Sequence, residues 1–338
     1  MKIHRPGERH VFLAPIGLLA AVLIGAVLIG AVAQASPPAH ILVRGARIFP
    51  ESLTSSADGS VIIGSIMQQA IFRAPPGADH AGPWIASGTA GLRNVFGVFA
   101  DDRSNTLWAC SNTFDPTGAR SWWRAWWPAP ATLYAFDLQT GAHKAHFDFP
   151  SRGGFCNDIA VARDGTIYAT DTNNMQVVRL RKGAAELEIW AGNGAFGPPG
   201  GLVDGIAILG RRVLVGTLAS SKLFSVPILS DGSAGRIVEV RLDRPLARPD
   251  GIRSFGGDSL LIAEGGSGGR LSRVTLRGDS GTLTVIKSGF PDGPVSVTVV
   301  GTTAYLLEGQ LGSLMRPAPV PDAMLRPFRA TAVEVGQP

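Results

Sequence analysis

From about residue 41 onward the chain is a series of short runs in which apolar and polar residues alternate. Ile159-Ala160-Val161-Ala162 and Thr166-Ile167-Tyr168-Ala169-Thr170 have the period of two that half-buried strands show. Asp164-Gly165 between them predicts a two-residue hairpin turn, with Gly supplying positive φ. This strand–turn–strand unit recurs at 50–64, 95–110, 203–216, 249–263 and 295–307. Further strands are expected at 41–48, 69–73, 132–137, 145–149, 175–180, 185–190, 222–227, 236–241, 270–276, 282–287 and 328–335, the last completing a blade. The segment 74–83 reads as loop by composition. Helical periodicity is absent after the first 35 residues.

Aligning the units places residues 51, 95, 157, 204, 250 and 295 at one equivalent position, with steps of 44, 62, 47, 46 and 45 residues. A period near 45 with four short strands per unit predicts an all-β chain, a six-bladed β-propeller of four-stranded antiparallel blades spanning 41–338. A β-sandwich does not explain six near-equal repeats, and a parallel β-helix has shorter coils. In a propeller the first strand of each blade lines the central channel, so the equivalent position becomes a ring of side chains at one mouth. That ring reads Glu51, Val95, Asn157, Asp204, Asp250, Val295.

Composition changes this picture mainly at the N-terminus. Residues 11–32 are uncharged and almost wholly apolar, follow the basic Lys2, Arg5 and Arg9, and end in Ala33-Gln34-Ala35. Residues 1–35 therefore read as a secretory signal peptide, with an uncleaved membrane tether through 11–32 as the alternative. Either reading places the propeller in an extracytoplasmic space, periplasmic or secreted. The formal charge of +5 falls to +3 without that leader, and no basic cluster interleaves with aromatics, so nucleic acid is not an expected partner. No GxSxG stands on a strand-to-helix turn, and the Gly-rich runs have no helix after them, which argues against a serine hydrolase and a nucleotide enzyme.

The ring carries the candidate chemistry. Glu51, Asn157, Asp204 and Asp250 offer four oxygen ligands, a set suited to a hard divalent cation: Ca²⁺ first, with Mg²⁺, Mn²⁺ or Zn²⁺ as alternatives. Three carboxylates near one axis repel unless a cation neutralises them or some are protonated. The bland alternative is that Asp204-Gly205 and Asp250-Gly251 merely start turns. Asp158 is a candidate for supporting the ligands or capping backbone N–H groups.

Glu51, the Asn157-Asp158 pair, Asp204-Gly205, the run Arg248-Pro249-Asp250-Gly251 and the hairpins ARDGTIYATD and ADGSVIIG resemble the SMP-30/gluconolactonase/LRE-like family over about residues 41–315. The resemblance implies a calcium-dependent six-bladed propeller, with the ion held in the channel mouth by Glu51, Asn157, Asp204 and Asp250. It implies hydrolysis of a sugar lactone or related small-molecule ester by metal-activated water, with Asp250 as the base and Asp204 as a second candidate. The chain departs from the family at Asp204, where Asn is usual, and at Pro50-Glu51-Ser52, where Glu-Gly-Pro is usual. Arg120, Arg124 and Arg248 are candidates for contacting substrate. The alternative is a non-catalytic propeller that uses the metal as a structural pin and an aromatic face for a ligand or partner.

That face would be the insertion 111–130, which holds Trp122, Trp123, Trp126 and Trp127. It follows a second strand, so blade geometry puts it on the same side as the ring, where aromatics suit a substrate lid, a hydrophobic plug or a partner surface. The same geometry brings Cys110, ending that strand, near Cys156, beginning the next blade. A disulfide is expected there, with two buried thiols as the alternative.

Overall fold

The computed structural model describes residues 1, 2, 7, 37–113, 131–192, 194–316, 318 and 320–338. The leader's apolar run and the four insertion tryptophans lie outside the described residues. No helix among the described residues is long and apolar enough to cross a membrane.

Six blades surround a central channel. Their innermost strands are Pro50–Ser55, Asn94–Asp101, Cys156–Val161, Val203–Leu209, Pro249–Phe255 and Pro294–Val300, for blades 1 to 6 in order. Each pairs antiparallel with the next strand in sequence, and blades 2 to 5 run outward as simple meanders. Segments from all six innermost strands line a chamber of about 250 Å³ in the channel, and Arg253 is part of its wall.

Blade 6 closes the ring with both ends of the propeller. Its strands Pro294–Val300, Thr303–Glu308 and Arg329–Glu334 come from the C-terminal side, and His40–Val43 adds the outermost strand, antiparallel to Arg329–Glu334. The expected strand at 41–48 is thus shorter and belongs to the last blade. The segment 74–83 is not wholly loop, because His80–Ile85 is the fourth strand of blade 1. Gly82 and Pro83 mask it in the sequence. The position is permissive because His40–Val43, the next strand on that side, pairs with it only at His80 and Ala81, so no ladder bond from residue 83 is needed there. The expected strand at 236–241 is split: Val238–Glu239 ends blade 4, and Arg241–Leu242 pairs parallel with Ser280–Ser288 of blade 5.

The Asp-Gly hairpins close with three-residue loops, not two. Ala162 N–H donates to Thr166 O, Gly165 N–H donates to Ala162 O, and Gly165 has φ 87°. This is a type I turn followed by a left-handed Gly. Asp164 carries the third element, accepting the Thr166 N–H at 2.9 Å. Ser56–Ser60 repeats the arrangement with Asp58 and Gly59.

Blades adhere face to face through apolar side chains. Between blades 3 and 4, Tyr168, Trp190, Val213, Val215 and Phe224 form one buried cluster, with the Tyr168 and Trp190 rings edge to face at 4.7 Å. Each such interface buries both faces of its sheets, which is why second strands such as Val61–Ser65 and Ile167–Asp171 are buried throughout.

A candidate metal centre at the channel mouth

Every innermost strand is irregular at the ring position. The pairing register shifts between Pro50 and Leu53, Val95 and Val98, Cys156 and Ile159, Val203 and Ile206, Pro249 and Ile252, and Pro294 and Ser296. A bulge turns a side chain out of the ladder's plane. Here six bulges form a ring, and Glu51, Asn157, Asp204 and Asp250 sit on four of them; in blade 2 the equivalent residue is Phe96 and not the expected Val95, which is the last paired residue before the bulge and is buried between blades 1 and 2.

The two Asp-Gly pairs on this ring do not make turns. A Cβ on Gly205 would stand 2.1 Å from the Asp250 carbonyl oxygen, and one on Gly251 would stand 2.8 Å from the Val295 carbonyl. Each Gly is needed because the neighbouring blade's backbone passes too close for any side chain. Two residues before the ligand position, Phe49, Leu202 and Arg248 have φ of 42°, 59° and 55°. Non-Gly residues in this region store local strain of roughly 1–3 kcal/mol and concentrate at functional sites.

The geometry brings three of the four expected ligands together directly. One carboxylate oxygen each from Glu51, Asp204 and Asp250 lies within 4.8 Å of the others. Glu51 and Asp204 are buried, and Asp250 is half-buried. Asn157 joins them by hydrogen-bonding Asp204. The orientation of its amide follows from its neighbours. Thr172 donates its hydroxyl proton to Val203 O at 2.7 Å, so it can only accept from Asn157 Nδ2, at 3.1 Å. Asn157 Oδ1 is then left buried with no partner among the described residues. An unpartnered buried carbonyl costs about 1–3 kcal/mol, and a cation would satisfy it.

The electrostatics agree. Burial, then the charges of Asp204 and Asp158, push the Glu51 carboxyl well above its ordinary range, with Arg253 opposing. Asp250 is pushed up strongly by burial and then by Asp204, Glu51 and Asp158. Asp204 is pushed up to about 8 by burial and then by Asp158, against the Asn157 hydrogen bond and Arg248. Three oxygen-bearing acids that cannot all ionise alone, beside an orphaned amide oxygen, form a donor set that fits a hard divalent cation.

Two features hold the Asn157 strand. Cys110 and Cys156 are disulfide-bonded, with Cα atoms 5.1 Å apart, joining blade 2 to blade 3. Asn112 clamps the same backbone, accepting the Cys156 N–H at 3.0 Å and donating to Cys156 O at 2.8 Å. Asp158 accepts the N–H groups of Ile159 and Ile206 and is paired with Arg253. Asn112, Thr172 and Arg253 escape a reading of the ring alone. Arg253 had a visible signal, since its equivalents are Thr54, Phe99, Ala160, Ala207 and Thr298.

Beside the ring a cleft of about 770 Å³ runs between blades 5 and 6, with Asp250, Arg248, Gln310, Arg316 and Arg326 in its walls. Asp250 belongs to both the carboxylate cluster and the cleft. Arg120 and Arg124, like the tryptophans, lie outside the described residues.

No family model matches the chain, and no curated protein matches it. Among solved structures, it is similar to a gluconolactonase from Xanthomonas campestris, at 14% identity and TM-score 0.60, covering 84% of this chain and 86% of that one. It is similar to the calcium-binding protein regucalcin from Agrobacterium tumefaciens, at 13% identity and TM-score 0.58, covering 88% and 97%. It is also similar to virginiamycin B lyase from Staphylococcus aureus, at 15% identity and TM-score 0.56, covering 80% of each chain. These likenesses show a shared propeller fold. A hydrolase, a calcium-binding protein and a lyase share it, so chemistry has to be argued from the ring.

Proposed function

We propose that this chain is a divalent-cation-dependent hydrolase of a small lactone or related ester, a divergent relative of the gluconolactonase-type propellers that works outside the cytoplasm. One observation carries the reading: the Glu51, Asp204 and Asp250 carboxylates converge within 4.8 Å beside the orphaned Asn157 Oδ1, and Asp250 opens onto a substrate-sized cleft. The likeness to a gluconolactonase and to a calcium-binding protein supports it.

Glu51, Asn157, Asp204 and Asp250 would hold the ion. When bound, it supplies positive charge that polarises an ester carbonyl and steadies the oxyanion. Asp250 is the carboxylate that faces the cleft, so it is placed to accept a proton from water attacking the carbonyl carbon. The ring C–O bond then breaks, and the proton passes from Asp250 to the departing alkoxide, leaving a hydroxy acid. Asp204 lies deeper and keeps the neighbouring charge that makes Asp250 a stronger base. Arg248, whose charge reaches both aspartates, stands at the cleft's entrance to the site.

The test is hydrolysis of a lactone and arylester panel by the metal-stripped protein, with and without added Ca²⁺, Mg²⁺, Mn²⁺ or Zn²⁺, beside Asp250→Ala. Turnover restored by one ion in the parent and lost by 10²-fold or more in the variant is the expected result. Raised thermal stability on adding the ion, with no turnover on any substrate, would instead make the ring a structural pin.

A further inference from the structure

Arg253 occupies a place where no charge is expected. It lies on the innermost strand of blade 5, three residues past Asp250, with 8% of its surface exposed. A guanidinium is tolerated in such a place when most of its donors are used, and here only Nε lacks a partner among the described residues. Nη1 donates to both Asp158 oxygens, at 2.8 and 3.1 Å, and to Ile252 O at 2.8 Å. Nη2 lies 3.3 Å from Val98 O, 3.4 Å from Leu53 O and 3.5 Å from Ser52 Oγ. Its partner Asp158 also accepts the Ile206 N–H at 3.1 Å.

Each of these groups sits beside a candidate ligand on the same strand. Ser52 and Leu53 follow Glu51, Asp158 follows Asn157, Ile206 lies two residues past Asp204, and Ile252 lies two past Asp250. The four strands that carry the ligands are therefore tied to one ion pair, and blade 2 joins through Val98. None of the ring carboxylates is spent in doing so.

We propose that the Arg253–Asp158 pair is a positioning device for the ion site: a rigid plate that fixes the spacing of the four ligand-bearing bulges and thereby sets the choice among cations. The inference rests on the ring being a cation site. A fixed ring favours Ca²⁺, which accepts oxygens at about 2.3–2.6 Å in varied geometry, over Mg²⁺, which needs a contracted octahedron at about 2.0–2.1 Å. Groups that support ligands typically change metal affinity by about 10–100-fold when altered. The planar fork matters as well as the charge, since a lysine ammonium cannot reach Asp158 and three strand carbonyls together.

The experiment is calorimetric titration of the full chain with CaCl₂ and with MgCl₂, for the parent, Arg253→Lys and Asp158→Asn, with ion-free melting curves to check folding. Arg253→Lys keeps the charge and removes the fork; Asp158→Asn alters a single atom and guards against a lysine variant that does not fold. The expected result is Ca²⁺ binding weakened about tenfold or more in the variants, with a smaller Ca²⁺/Mg²⁺ affinity ratio. A purely architectural role would lower the ion-free melting temperature but leave that ratio in place. Affinities and ratio within twofold of the parent overturn the positioning claim alone. A parent that binds neither ion overturns the ion site itself, and this inference with it.

Discussion

Blades 1, 3, 4 and 5 present Glu51, Asn157, Asp204 and Asp250 at the channel mouth, whereas blades 2 and 6 present the buried Phe96 and Val295. The backbone irregularity is common to all six. The scaffold therefore aims a side chain at the axis in every blade, and chemistry depends on which residue is aimed. The approach to the bulge differs as well. Blade 6 takes its positive φ at Gly293, while the ligand-bearing blades 1, 4 and 5 take it at Phe49, Leu202 and Arg248. Blade 3 places Asn157 without a positive φ at Phe155, so the strained approach accompanies the three carboxylates and not the amide.

The first way to break this comparison is through the glycine that lets one ligand-bearing blade approach the next. Gly205→Ala forces a Cβ against the Asp250 carbonyl. It should cost roughly 3 kcal/mol, read as a lowered urea midpoint, and should weaken ion binding because the Asp250 bulge moves. An unchanged midpoint would mean that the blades are not packed as described.

The second tests the ionisable character of the ligand-bearing blades. In ion-free protein Asp204 has its folded pKa at about 8 against an ordinary value of 3.8, so the folded state keeps a proton that the unfolded chain has released. Its stabilising contribution is complete below 3.8 and is lost as pH rises towards 8, at about 1.4 kcal/mol per pH unit. Glu51 and Asp250 shift in the same direction. Melting temperature in chelator should therefore fall from pH 4 to pH 8, and saturating Ca²⁺ should flatten the slope. A flat profile in chelator would contradict the crowding of acids.

The third and smallest effect comes from a blade without a ligand. Val295→Ala should cost about 1–2 kcal/mol of stability through lost packing and leave ion affinity within twofold. A large loss of affinity would show that blade 6 participates in the site.

The repeats and the ring, save its blade 2 position where Phe96 and not Val95 stands, were legible in the sequence because both rest on local pattern: alternating strands, Asp-Gly hairpins and a near-constant period. What was hidden depends on contacts far apart in the chain. His40–Val43 reveals its blade only by pairing with Arg329–Glu334. His80–Ile85 is concealed by Gly82 and Pro83, which lie past the two residues that pair with His40–Val43. Asp204-Gly205 and Asp250-Gly251 look like turns locally, and only the approach of the next blade shows why Gly is there. Arg253 breaks its column in the repeat, but its meaning lies in partners 95 to 201 residues away.

The most direct test of the account is calorimetric titration of metal-stripped protein with Ca²⁺ at pH 7, repeated in buffers of different ionisation enthalpy. The ring predicts one ion per chain and release of about one proton or more, because bound cation replaces protons held by Asp204 and its neighbours. Binding without proton release, or no binding of Ca²⁺, Mg²⁺, Mn²⁺ or Zn²⁺ at millimolar concentration, would contradict it.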